Sequence, residues 1–129
     1  MKKITMTAVA AIAFGGMAFA DPLEGLWQTA QDDNGNFGHI QVAACGSALC
    51  GTLVRSFDGA GNEVASTFTG RNIISETTAS GGGQYRGKVY APDRDKTYNS
   101  RLQLSGDSLS VSGCVLGICR DGGTWTRVQ

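Results

Sequence analysis

Four cysteines, one histidine and two short acidic turns are the residues of this chain whose types and spacing could do chemistry. The cysteines form two sets of equal spacing, Cys45-Gly-Ser-Ala-Leu-Cys50 and Cys114-Val-Leu-Gly-Ile-Cys119. Four thiolates could hold one zinc ion tetrahedrally, but zinc ribbons favour shorter spacing within each pair. In an oxidising compartment such cysteines pair as disulfides. Four of them allow three pairings. The matched spacing favours Cys45 with Cys50 and Cys114 with Cys119, each closing a strand end or hairpin. Loops this short contribute about 2 kcal/mol each, against about 4 for a long-range bridge, so cross-pairing stays open as the alternative. No metal and no cofactor are expected.

The remaining candidates are weaker. His39 sits between Gly38 and Ile40, and alternation turns it outward, opposite Ile40 and Val42. A lone outward histidine reads as a surface residue before a general base. No serine or cysteine has an evident base partner, so an enzyme is not expected. Asp32-Asp33-Asn34-Gly35-Asn36 lacks the downstream acidic ligand of a calcium loop and reads as a hairpin turn. Asp93 and Asp95 flank Arg94 just after Pro92, which suits a turn better than paired catalytic carboxylates.

The elements that position these residues are strands. After residue 20 no segment keeps a helical period, and alternation dominates. The pattern predicts strands over 25–29, 37–45, 49–57, 71–76 (weakly), 84–90, 98–104, 109–113 and 124–128. Short turns rich in Gly, Asn and Asp join them, and 63–69 is ambiguous. Eight short, evenly spaced strands with hairpin connections suggest an all-β fold, a small up-and-down antiparallel barrel, because closure removes the exposed edges of a sheet. A two-sheet sandwich would need longer crossovers. Alternation puts Ile40, Val42, Leu53, Tyr85, Val89, Tyr98, Leu102 and Val111 on the inner face. Gly51, Gly87 and Gly113 are the places where that interior could stay unfilled. The short strands predict at most a shallow apolar pocket at one mouth.

Met1 to Ala20 reads as a secretory signal peptide. Lys2 and Lys3 form the positive region, an apolar run follows, and Ala18-Phe19-Ala20 is a small-x-small cleavage site. Removing 20 of the 129 residues leaves 109, a single domain over 21–129. Lys plus Arg falls from 11 to 9 while Asp plus Glu stays at 11, so the mature charge is near −2. With no basic block, a nucleic-acid partner is excluded. No later segment is apolar enough to span a membrane. The expected location is periplasmic or secreted.

Gly25-x-Trp27 in the first strand, with Arg127 in the last, resembles the lipocalin-like (calycin) barrels. There the first-strand Trp packs under an Arg from the far end of the chain, so the resemblance implies that Trp27 and Arg127 close the barrel by a cation–π contact. Five segments in one order extend the likeness: Cys45-Gly46-x-x-Leu49-Cys50-Gly51, Gly87-Lys88-Val89-Tyr90-Ala91-Pro92-Asp93, Lys96-Thr97-Tyr98, Leu109-x-Val111-x-Gly113 and Thr124-Trp125-Thr126-Arg127-Val128. Together they resemble domain-of-unknown-function family 2147, small exported bacterial proteins of lipocalin-like fold with no established activity. Relatives often carry a longer Pro- and Arg-rich segment after the third strand, whereas residues 56–69 are short here and contain no Pro.

These readings lead to two functional expectations. The first is a binding module for a small apolar or amphipathic molecule at the barrel mouth, lined by the eight inner residues. The second is a protein-interaction role. Ser80-Gly81-Gly82-Gly83-Gln84-Tyr85 is similar to a loop of periplasmic lysozyme inhibitors, although their Trp-x-x-Lys-Gly segment is missing.

Overall fold

The computed structural model describes residues 20–129; apart from Ala20, the segment read as a signal peptide lies outside them. Nine strands follow one another: β1 (Gly25–Gln28), β2 (Phe37–Cys45), β3 (Ala48–Phe57), β4 (Glu63–Val64), β5 (Asn72–Gly81), β6 (Gln84–Ala91), β7 (Lys96–Ser105), β8 (Ser108–Val115) and β9 (Ile118–Arg127). Eight of them form a closed antiparallel barrel in the order β1, β2, β3, β5, β6, β7, β8, β9 and back to β1. The two-residue β4 adds to the far end of β3. Among the described residues no helix is long and apolar enough to cross a membrane.

The two ends of the barrel differ. One end, the base, carries the turns at Gly46-Ser47, Gly82-Gly83 and Gly106-Asp107 together with both termini of the described chain. The other, the mouth, carries the 29–36, 58–71 and 92–95 connections and the Leu116-Gly117 turn. Each disulfide staples one hairpin: Cys45–Cys50 at the base and Cys114–Cys119 at the mouth.

Two strands run furthest beyond the bounds that alternation predicts. β5 runs on from 76 to Gly81, and β9 begins at Ile118 rather than 124. Both contain a bulge, which adds a residue and resets the period of two. In β5, Ser75 to Thr78 spans the same partner length as Lys88 to Arg86, and Glu76 takes φ of 50°. In β9 the extra residue falls between Asp121 and Thr124.

Ile73 and Ile74 are also both buried, on opposite faces of β5. Ile74 faces the interior, whereas Ile73 shares the outer face with Tyr90. Tyr90, outward by alternation, is only 5% exposed because segment 66–71 folds over it. Phe68 packs at 6.1 Å between ring centroids, and the Arg71 guanidinium lies 3.6 Å above the ring. The Tyr90 hydroxyl donates to Asp95 at 2.7 Å.

Candidate functional site

The base is filled. Leu23 and Trp27 are fully buried there, and the Trp27 indole N–H donates to the Leu23 carbonyl at 2.9 Å. Trp27 and Arg127 are direct cross-strand partners, with the guanidinium carbon 4.4 Å from the ring centroid. Tyr85, inside the barrel, donates its hydroxyl to Asp21 at 2.5 Å. Burial first, then that hydrogen bond, pushes the Tyr85 pKa up to about 12. A recess of about 240 Å³ remains beside Asp21, between the base hairpin and β5.

The mouth is hollow. A cavity of about 1150 Å³, open to solvent, is bounded by β6, β7, β8 and β9. Val89, Tyr98, Val111 and Trp125 form its apolar wall, and Val115 and Ile118 its rim. It is larger than the shallow pocket that strand length predicts. Two guanidinium groups flank it, Arg94 from the 92–95 turn and Arg120 from the inner face of β9. The Tyr98 hydroxyl, then the nearby Asp93, raises the Arg94 pKa further above its ordinary value, so this charge is fixed.

The reason for the asymmetry lies in what opposes each small interior residue. A side chain at Gly51 would meet Ile40 and Ile74, which already occupy the space. One at Gly87 would meet the carbonyls of Ser75 and Glu76, which the bulge turns inward. The atoms nearest a side chain at Gly113 are those of Tyr98, in ordinary contact at 3.4 Å or more, and beside it the barrel stays open. Gly87, Ser100 and Gly113 are register partners across β6, β7 and β8, forming a belt of small residues. Ser100 is 5% exposed, and its hydroxyl has no hydrogen-bond partner among the described residues.

Of the eight inner residues expected to line a site, Val89, Tyr98 and Val111 line the cavity. Ile40, Val42, Leu53, Tyr85 and Leu102 belong to the packed core on the other side and toward the base. Trp125, a strand aromatic that the sequence offers either as core or as cavity lining, joins them, and Arg94 and Arg120 complete the cavity without having been reached by the sequence reading. For Arg120 a signal existed, since Ile118, Arg120 and Gly122 alternate. It is masked by the bulge just beyond.

The other candidates lie elsewhere. His39 packs on the outer face against Phe57, at 4.7 Å between centroids, and its Nε2 meets Gln28 Oε1 at 3.1 Å. Burial, then the Arg55 charge, lowers its pKa below 6.5 against an opposing pull from Glu63. Asp32 is spent on its own turn, accepting the backbone N–H of Asn34 and Asn36. Among the described residues no three His, Cys, Asp or Glu side chains converge as a metal site would require. The Ser80–Gln84 turn is at the base, and Tyr85 beside it is buried, so it offers no aromatic to a partner.

No curated protein matches the sequence. Among solved structures, a protein from the human pathogen Helicobacter pylori, described as belonging to the lipocalin family, is similar in fold. The TM-score is 0.63 at 18% identity, with 83% of each chain covered. A bacterial family described as "uncharacterized protein conserved in bacteria (DUF2147)" matches residues 25–127. The closed eight-stranded barrel is therefore lipocalin-like in fold, and the chain belongs to the DUF2147 family.

Proposed function

We propose that the protein binds a small amphipathic molecule in the mouth cavity and acts as a binding module rather than an enzyme. The observation that carries this reading is the contrast between the filled base and the hollow mouth. A concave, mostly apolar site with a few polar groups is the usual form of a small-molecule site. The apolar part of the ligand lies against Val89, Tyr98, Val111 and Trp125, and its polar end reaches Arg94 and Arg120. Two disulfides fit a protein that works outside the cytoplasm, in the periplasm or secreted.

Binding of a fluorescent apolar probe tests this. Val89→Trp and Val111→Trp fill the cavity from β6 and β8, on either side of β7, and should abolish binding while the barrel still melts cooperatively. Probe affinity unchanged in both variants would place any site elsewhere and leave a surface role as the better account.

A further inference from the structure

Four hairpins of this barrel turn through two residues, and in each the first turn residue has positive φ. Three use glycine there, with φ of 68° at Gly46, 63° at Gly82 and 60° at Gly106. The fourth uses Leu116, at φ 51°. A large side chain in the left-handed region is strained, and Asn or Gly would be relaxed there. Leu116 is also 95% exposed, the least hydrated choice at the most hydrated place. Both conformation and solvation oppose leucine at this position, so folding does not explain it.

Its neighbours share the property. Val115 is 53% exposed and Ile118 69%, so three of the six exposed large hydrophobics among the described residues occupy one hairpin tip. The Cys114–Cys119 disulfide, immediately below, holds that tip rigid. Val115, Leu116 and Ile118 also bound the mouth of the cavity.

We propose that this tip is a membrane-docking element that inserts Val115, Leu116 and Ile118 into the apolar layer of a lipid bilayer. Three protruding side chains are too few for a protein partner, since a specific interface engages about 20–30 residues a side over roughly 800 Å². They are enough for shallow insertion into a bilayer, where the gain scales with apolar area. Charge adds no rival attraction. Around the cavity that the tip bounds, Arg94 and Arg120 are balanced by Asp93 and Asp121, so the contact is apolar and independent of anionic lipid. Docking in this pose sets the cavity mouth on the bilayer surface. The tip's own case does not depend on what the cavity binds.

Cosedimentation of residues 21–129, which contain every strand among the described residues and both disulfides, with vesicles tests the proposal. Vesicles of phosphatidylcholine alone and of phosphatidylcholine with phosphatidylglycerol are compared at low and high salt. The parent protein should pellet with both, at either salt. Leu116→Asn should weaken partitioning roughly tenfold, since moving one large apolar side chain out of water is worth about that factor. Leu116→Asn with Ile118→Ser should reduce partitioning to background. Because Asn tolerates the left-handed conformation, Leu116→Asn should melt no lower than the parent, which separates lost docking from lost folding. A parent that stays in the supernatant, or a Leu116→Asn variant that binds as well as the parent, overturns the proposal. So does binding that needs anionic lipid and vanishes in salt. A dimer that Leu116→Asn dissolves, without vesicle binding, would assign the tip to a second copy of the chain instead.

Discussion

Arg127 does more than lie over Trp27. While its guanidinium carbon sits 4.4 Å from the ring centroid, its nitrogens donate to the Glu24 carbonyl at 3.0 Å, the Pro22 carbonyl at 2.6 Å and Asp107 Oδ1 at 3.0 Å. One side chain thus ties the last strand to the entry segment, the first-strand Trp and the β7–β8 turn. A planar fork of donors makes this possible, and an ammonium group could not reproduce it.

Trp27→Ala should therefore cost about 3–5 kcal/mol, the range for a large buried aromatic. Arg127→Lys keeps the charge but loses the fork, and should cost about 1–3 kcal/mol, the range for a hydrogen bond to a charged group or a buried acceptor left unpaired. Thermal or urea melts measure both. A Trp27→Ala melt matching the parent would show that the contact carries no stability.

Gly87 faces a different constraint. A Cβ there would lie 2.6 Å from the carbonyl oxygens of both Ser75 and Glu76. Backbone carbonyls held by a bulge cannot swing aside as a flexible side chain can. Gly87→Ala should thus destabilise by about 1–3 kcal/mol, the usual cost of overpacking a filled interior. Gly46→Ala is the control. Nothing lies within 4 Å of its added methyl, so whatever that variant loses reports only the positive φ.

Gly87 also marks how far the sequence alone could be read. Strand number, closure and the two stapled hairpins are legible, because alternation, Gly-rich turns and matched cysteine spacing are local signals. Bulges are not, because Glu76 and Gly122 look like ordinary strand or turn residues until their partners are known. Nor is the split between core and cavity. Ile40 and Val89 are alike in type and both face inward, yet Ile40 opposes Gly51 in the packed half while Val89 borders open space. That difference depends on what lies across the barrel, which no sequence window contains.

His39 makes stability depend on pH in a defined direction. Its pKa in the folded barrel is lowered from 6.5, chiefly by burial. As pH falls below 6.5, the unfolded chain takes up a proton that the folded state resists, so stability falls from there until the folded pKa is passed. Carboxylates act lower: the Asp58 pKa, pulled below 3.8 by the backbone N–H of Asn62, matters only in stronger acid. The melting temperature should therefore drop between neutral pH and mild acid, and His39→Gln should flatten that drop. An equal drop in the variant would assign it to another group.

At the base the same linkage runs the other way, in alkali. The Tyr85 pKa is raised from 10.0 to about 12, by burial and by the hydrogen bond to Asp21. Above pH 10 the unfolded chain loses the phenolic proton while the folded barrel keeps it. The stability that Tyr85 contributes is thus complete below pH 10 and is lost as pH rises toward about 12. The Tyr90 pKa is raised too, by its bond to Asp95 and then by burial, so two of the three tyrosines should resist titration in the folded protein. Tyrosinate absorbance during an alkaline titration separates them. Tyr85→Phe should remove the late step that coincides with unfolding. Asp21→Ala should move that step to lower pH, because it removes the hydrogen bond and the carboxylate charge while leaving burial in place. The Asp21 carboxylate also accepts the Leu23 N–H at 2.8 Å, so its loss should loosen the turn that seats Leu23 under Trp27. A Tyr85 titration unchanged by Asp21→Ala would mean that burial alone sets it and that the entry segment does not brace the base.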